Sequence, residues 1–147
     1  MKIFLYFIGK PRDRNANAMA AEYIKRSTRY AQCEMREIPD PEKTAAKKLI
    51  DPFEKHPNAT KILLDPQGKA LDTPGFIQIV AEQAEVAGRD LVFILGGSDG
   101  LPADWRPRAD VLIQLTPLTL PHELARVMLA EQIYRALCAL RGHPYPR

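Results

Sequence analysis

Short apolar runs separated by stretches of helical spacing constrain this chain's fold more than any other feature. The runs are KIFLYFI (2–8), CEMREI (33–38), TKILLD (60–65), LVFIL (91–95) and VLIQL (111–115). Each has the length of a strand. Turn formers follow them: Gly9-Lys10-Pro11, then Pro39 and Pro41, then Pro66-Gln67-Gly68, then Gly96-Gly97-Ser98-Asp99-Gly100. Runs that are apolar throughout belong to strands covered on both faces, as in a parallel sheet. Strands alternating with helices predict an α/β fold, a mostly parallel sheet flanked by helices. At 147 residues the chain can bury a core of its own, and residues 1–147 read as one domain.

The intervening helices are legible from their apolar spacing and punctuation. Residues 15–30 carry Met19, Tyr23 and Tyr30 among basic residues, as a surface helix does. EKTAAKKLIDPFEK reads as helical with an interruption at Pro52. Asp72 or Thr73 caps a helix with Pro74 near its start, running to about Ala87 and ended by Gly88. The last helix is expected from about Pro121 to Leu140.

Several function classes drop out early. Apolar residues make up 46% of the chain and charged residues 27%, which suits a globular domain better than a disordered one. No apolar run approaches the ~18 residues of a membrane span. MKIFLYFIGKPRDR lacks a small-residue cleavage site and reads as a strand rather than a leader. Cys33 and Cys138, isolated and without C-x-x-C spacing, predict reduced thiols in a cytoplasmic protein. His56, His122 and His143 stand at unrelated spacings, so no metal site is expected. A net charge of +3 permits a nucleic-acid partner without requiring one.

In open α/β sheets, ligands gather at the carboxyl ends of the strands. Three runs end there in distinctive loops, LLDPQG, LGGSDG and QLTPLTLPHE, which parallel strands would bring to one edge. Paired glycines let backbone approach a ligand, but G-G-x-x-G fits neither the dinucleotide nor the P-loop pattern. A tight turn before LPADWRPR, where Pro102 helps to start a helical turn, explains that loop more readily. Asp65 and Pro66 are ordinary turn formers, and Asp65 can also accept a ligand hydrogen bond. QLTPLTLPHE carries redundant constraints. Pro117 restricts Thr116, Pro121 restricts Leu120, and Thr119 is placed to cap the last helix with Pro121 in its first turn. One reading is a stiff helix start. The other is a preorganised backbone that meets a flat polar ligand, with Leu115, Leu118 and Leu120 as an apolar wall.

The last helix carries an apolar face with Glu131 set into it, and Arg135 at i+4 is a natural partner. Arg126, Arg135 and Arg141, with the tail RGHPYPR, add charge and an aromatic suited to RNA. A solvated end explains such a tail as readily.

The succession LLDPQG, RDLVFILGGSDG, LTPLTLPHELARVMLAEQIYRA and GHPYPR closely resembles the ribosomal large-subunit methyltransferase H family. These are 23S rRNA pseudouridine N3-methyltransferases of the SPOUT superfamily. The likeness spans essentially the whole chain and is most specific from Leu115 to Tyr145. It implies a C-terminal trefoil knot over residues of about 60–147, a feature that general topology rules would reject. It also implies S-adenosylmethionine held by Leu64, Asp65, Gly96, Gly97, Thr116, Pro117, Leu118, Thr119, Leu120 and Pro121. A homodimer follows, in which the tail of one subunit completes the other's active site.

For the reaction, the resemblance points to His143, Tyr145 and Arg147 as catalytic or substrate-positioning groups, with Glu131 as a rival. Arg126, Arg135 and Arg147 become candidate RNA contacts, and 23S rRNA in the ribosome the partner. The attacking N3 carries a proton, so a base or a water must lie within hydrogen-bond reach. The chain departs from the family at two places: Pro146 stands where a second tail histidine is usual, and GGSDG replaces GGPEG, keeping an acid at Asp99. Alternatives are a knotted methyltransferase acting on another RNA, or a ribosome-associated binding protein without turnover.

Overall fold

The computed structural model describes residues 1–40, 50–85 and 89–145. Among these residues five strands form one sheet: β1 (Lys2–Ile8), β2 (Gln32–Ile38), β3 (Thr60–Ala70), β4 (Leu91–Leu95) and β5 (Val111–Gln114). Their order is β2-β1-β4-β3-β5, and each neighbouring pair is parallel. The helices are α1 (Arg14–Ser27), the short α2 (Pro52–Lys55), α3 (Thr73–Glu85) and α4 (His122–Leu140). A 3-10 turn, Ala103–Arg108, follows β4, with Pro102 just before it.

The uninterrupted apolar runs have the explanation expected of them. In β1 and β4 every residue from Ile3 to Ile8 and from Leu91 to Leu95 is buried, because helices or loops cover both faces. Odd positions of β1, Ile3, Leu5 and Phe7, share a core with Ile24, Leu129, Ile133 and Leu137 of α1 and α4. Even positions, Phe4, Tyr6 and Ile8, pack with Phe53 and Trp105 on the other face. Each fully buried large aliphatic or aromatic side chain contributes about 1.5–3 kcal/mol. Polar groups in the second core are satisfied as a chain. Arg36 Nη1 donates to the Tyr6 hydroxyl oxygen at 3.1 Å, which turns the Tyr6 O–H toward His56 Nε2 at 2.8 Å. That nitrogen accepts, so His56 is neutral; burial and then Arg36 push its pKa down.

The structure revises several expectations. β3 does not end at Pro66-Gln67-Gly68. Its pairing with β5 shifts register between Leu64 and Lys69, and the strand resumes to Ala70 beyond the excursion. Gly68 is required there, since a Cβ would stand 2.6 Å from the backbone of Ile113. In α1 the buried positions are Ala20, Ile24 and Ser27, while Met19 is exposed. Pro52 begins α2 rather than interrupting it, with Asp51 capping the Phe53 amide at 2.8 Å. The expected helix over 42–55 falls partly on residues 41–49, outside the described residues, as do Ala87 and Gly88. Asp72 does cap α3, accepting from the Gly75 amide at 2.9 Å. Thr119 does not cap α4: the N-cap is Pro121, whose carbonyl accepts the Ala125 amide, and no side chain caps that end.

Cys33 and Cys138 are free and buried, and burial pushes the Cys33 thiol up to about 12. No helix among the described residues is long and apolar enough to cross a membrane.

Candidate functional site

Parallel pairing brings the carboxyl ends of β3, β4 and β5 to one edge, and a cavity of about 650 Å³ lies there. Leu64 and Asp65 come to it from β3, and Gly96 and Gly97 from the loop after β4. Thr116, Pro117, Leu118, Thr119 and Leu120 come from the loop after β5. Pro121 is absent from the lining and serves as the N-cap of α4.

Each loop is built to stay in place. The 96–100 loop closes on itself through the Gly100 amide and the Gly97 carbonyl, 3.0 Å apart, with Gly100 at a φ of +76. Gly96 lies against Gly100 so closely that a Cβ would sit 2.6 Å from its backbone. Gly97 lies against the end of β1, where a Cβ would sit 2.7 Å from the Ile8 carbonyl oxygen. In the 115–121 loop, Thr116 Oγ1 accepts the Leu118 amide at 3.2 Å, adding to the two prolines. Asp65 is buried with both oxygens engaged: Oδ1 accepts the Gln67 amide at 2.8 Å, and Oδ2 accepts Arg106 Nε.

The sequence reading missed Arg106 and His122, which also line the cavity. Arg106 was hidden in LPADWRPR, where nothing distinguishes it from a solvated arginine. The only available signal was its closeness in sequence to GGSDG, which returns it to the same sheet edge.

The expected catalytic groups gather elsewhere. Glu131 Oε1 accepts Arg135 Nη2 at 2.6 Å and the Tyr145 hydroxyl at 3.1 Å, so Glu131, Arg135 and Tyr145 form one cluster along α4. None of them lines the cavity. Burial, Tyr23 and Glu131 push the Tyr145 phenol up, which keeps it protonated and favours a donor's role over a base's. His143 is exposed, and Arg147 lies outside the described residues.

Arg126, expected as an RNA contact, is instead inside the fold. It is 1% exposed, with its guanidinium 3.7 Å above the Phe7 ring. It points inward because α4 packs over α1 and the end of β1, where Glu123 Oε1 lies 3.8 Å from Nη1. Glu123 also accepts the Arg12 amide at 2.7 Å and the Asp13 amide at 3.1 Å, fixing the loop between β1 and α1. Arg126 Nε and Nη1 have no hydrogen-bond partner among the described residues. Removing one member of a buried pair costs more than replacing a buried ion with an apolar group. Glu123→Ala is therefore expected to destabilise by about 3 kcal/mol, and Arg126→Met by about 1 kcal/mol or less. Denaturant melts compare the two directly, and equal losses would contradict the reading. Backbone amides hold the Glu123 pKa down against burial. Its stabilising contribution is therefore present above the ordinary glutamate range and lost as pH falls through the lowered value.

Comparison with known proteins agrees with this architecture. The family model described as "Predicted SPOUT methyltransferase" matches residues 1–146. A ribosomal RNA large subunit methyltransferase H from Solibacter usitatus (strain Ellin6076) is 56% identical over 147 residues, covering 100% of both chains. A protein of the same name from Chromobacterium violaceum is 40% identical over 157 residues, covering 100% of this chain and 99% of that one. Among solved structures, a probable methylase family protein from Haemophilus influenzae Rd KW20 superposes with a TM-score of 0.61 at 10% identity. It covers 99% of this chain and 70% of that one, a likeness that bears on the fold alone.

Proposed function

This chain belongs to the ribosomal RNA large subunit methyltransferase H family of SPOUT methyltransferases, and from that premise we propose that it methylates N3 of a pseudouridine in 23S rRNA, using S-adenosylmethionine. The observation that carries the reading is the convergence of three strand-end loops on one cavity. The cavity's volume suits a cofactor of this size. Its residues fit one too: Leu64, Leu115, Leu118 and Leu120 offer apolar walls, and Gly96 and Gly97 allow the tight backbone packing that holds their loop at the cavity's edge. The knotted threading of residues 60–147 belongs to the same proposal. It is supported by β5 lying beside β3 and by the close approach of Gly68 to the backbone of Ile113.

When bound, S-adenosylmethionine supplies a methyl group already activated on a sulfonium. The protein's work is then alignment and proton handling. The 115–121 loop, stiffened before any ligand arrives, would hold its amides and carbonyls ready for the adenine at little ordering cost. Arg135, held by Glu131, would present a cation to the substrate nucleotide, and Tyr145, whose O–H is already donated to Glu131, an aromatic ring. His143, exposed next to them, would be the group that accepts the N3 proton.

Tyr145 folds back only to Glu131, roughly 14 Å along α4 from His122 at ~1.5 Å per residue, and none of the described tail lines the cavity, so the tail would act on the cavity of a second copy. We therefore read the protein as a homodimer. Exposed Met19, Leu118 and Leu124 supply apolar surface for that contact. A ribosomal substrate places the protein in the cytoplasm.

The test incubates the protein and methyl-labelled cofactor with ribosomes lacking the modification, and separately with free rRNA, then maps the label by mass spectrometry. Label at N3 of a pseudouridine in the large subunit is expected. Label on another RNA would replace the substrate, and no transfer with retained cofactor binding would favour a binding protein.

A further inference from the structure

Arg106 is the one arginine or lysine among the described residues lining the cavity. It sits on the 3-10 turn after β4, about half exposed, and reaches back to a buried carboxylate on β3. The contact to Asp65 Oδ2 is made by Nε, the nitrogen nearest the stem. The terminal NH2 groups, which hold most of the guanidinium's donors, have no partner among the described residues. Asp65 is itself immobile, with its other oxygen on the Gln67 amide. The result is a planar cation fixed at one end, on a residue that lines the cavity. Guanidinium forks of this kind suit carboxylates in a two-point contact.

We propose that Arg106, aimed by Asp65, binds the α-carboxylate of the cofactor's amino-acid arm and so selects ligands that carry that arm. The inference rests on the reading of the cavity as the S-adenosylmethionine site. It changes the part expected of Asp65, which positions Arg106 instead of meeting the ligand itself. The other acid in the lining, Asp99, repels a carboxylate, so the arm's anionic end is directed to Arg106. The adenosine and the sulfur are then left to the glycine and proline loops.

Calorimetry on the full-length protein separates this arm from the rest. S-adenosylhomocysteine carries the amino-acid arm; 5′-methylthioadenosine keeps the adenosine and the thioether but lacks it. Arg106→Met is expected to weaken S-adenosylhomocysteine by roughly tenfold to a hundredfold, the range for a hydrogen bond to a charged group. Affinity for methylthioadenosine should stay within about twofold of the parent's, and Arg106→Lys should recover part of the loss. Equal weakening of both ligands would mean that Arg106 only shapes the cavity. Unchanged affinity for S-adenosylhomocysteine with slower methylation of ribosomes would assign Arg106 to an RNA phosphate. Either result overturns the proposal. If the parent protein binds neither ligand, the cavity is not the cofactor site, and the inference falls with that reading.

Discussion

Removal of residues 143–147 is expected to abolish methyl transfer, by roughly a thousandfold or more, while leaving cofactor affinity within about twofold. The separation follows from α4. Its first turn, with His122 and Ala125, forms part of the cavity wall. The tail leaves from the opposite end, at Arg141 and Gly142, and folds back only as far as Glu131 through Tyr145. A group held there cannot support the cavity of its own protomer, so its loss leaves binding intact. Titration with S-adenosylhomocysteine and turnover on ribosomes measure the two halves of the prediction. A large fall in cofactor affinity would place the tail in the cofactor site. Tyr145→Phe, which keeps the ring but removes the hydroxyl bonded to Glu131, tests the donor's role within the tail.

Gly96→Val is expected to weaken cofactor binding on the order of a hundredfold, because the added carbons meet backbone and not a movable side chain. A Cβ at this position would stand 2.6 Å from the Gly100 carbonyl carbon. The loop must open, breaking the 3.0 Å bond that joins the Gly100 amide to Gly97. β4 ends at Leu95, so the sheet should keep its far-ultraviolet circular dichroism while the ligand site is lost. Retained affinity would show that the loop does not touch the ligand. Mixed in equal amounts and exchanged, the tail-deleted and Gly96→Val chains should recover about a quarter of the parent activity if tail and cavity meet between subunits. No recovery would mean that each protomer works alone.

The sequence was most informative where one physical rule decided the matter. β1 and β4 came out at their expected limits because uninterrupted apolar runs have few other uses, and β2, which alternates and stops before Pro39, came within a residue of its own. The cavity loops were legible for a related reason: parallel strands carry all their carboxyl ends to one edge. Other features depended on partners distant in sequence. β3 resumes after Pro66-Gln67-Gly68 only because β5 lies alongside to pair with Lys69 and Ala70. Thr119 has the right chemistry for a cap, but the helix starts at His122 with Pro121 already in the capping position. Arg126 resembled a surface cation until α4 packed its face over Phe7, 119 positions earlier in the chain. Arg106 gained its meaning from Asp65, a contact 41 positions apart that no local pattern announces.

The strand order also sets a timetable for biosynthesis. β1 is made before the other four strands and can take β2 as a neighbour once Ile38 exists. Its other edge waits for Leu91–Leu95, and β3, although made earlier than β4, must leave room for that strand to enter between them. Until then a strand buried from Ile3 to Ile8 in the finished protein has an open side. Non-local parallel pairing of this kind is slow and leaves unpaired edges exposed during synthesis. A nascent chain halted before residue 91 should therefore bind holding chaperones strongly, and one extended past the end of α4 should let them go.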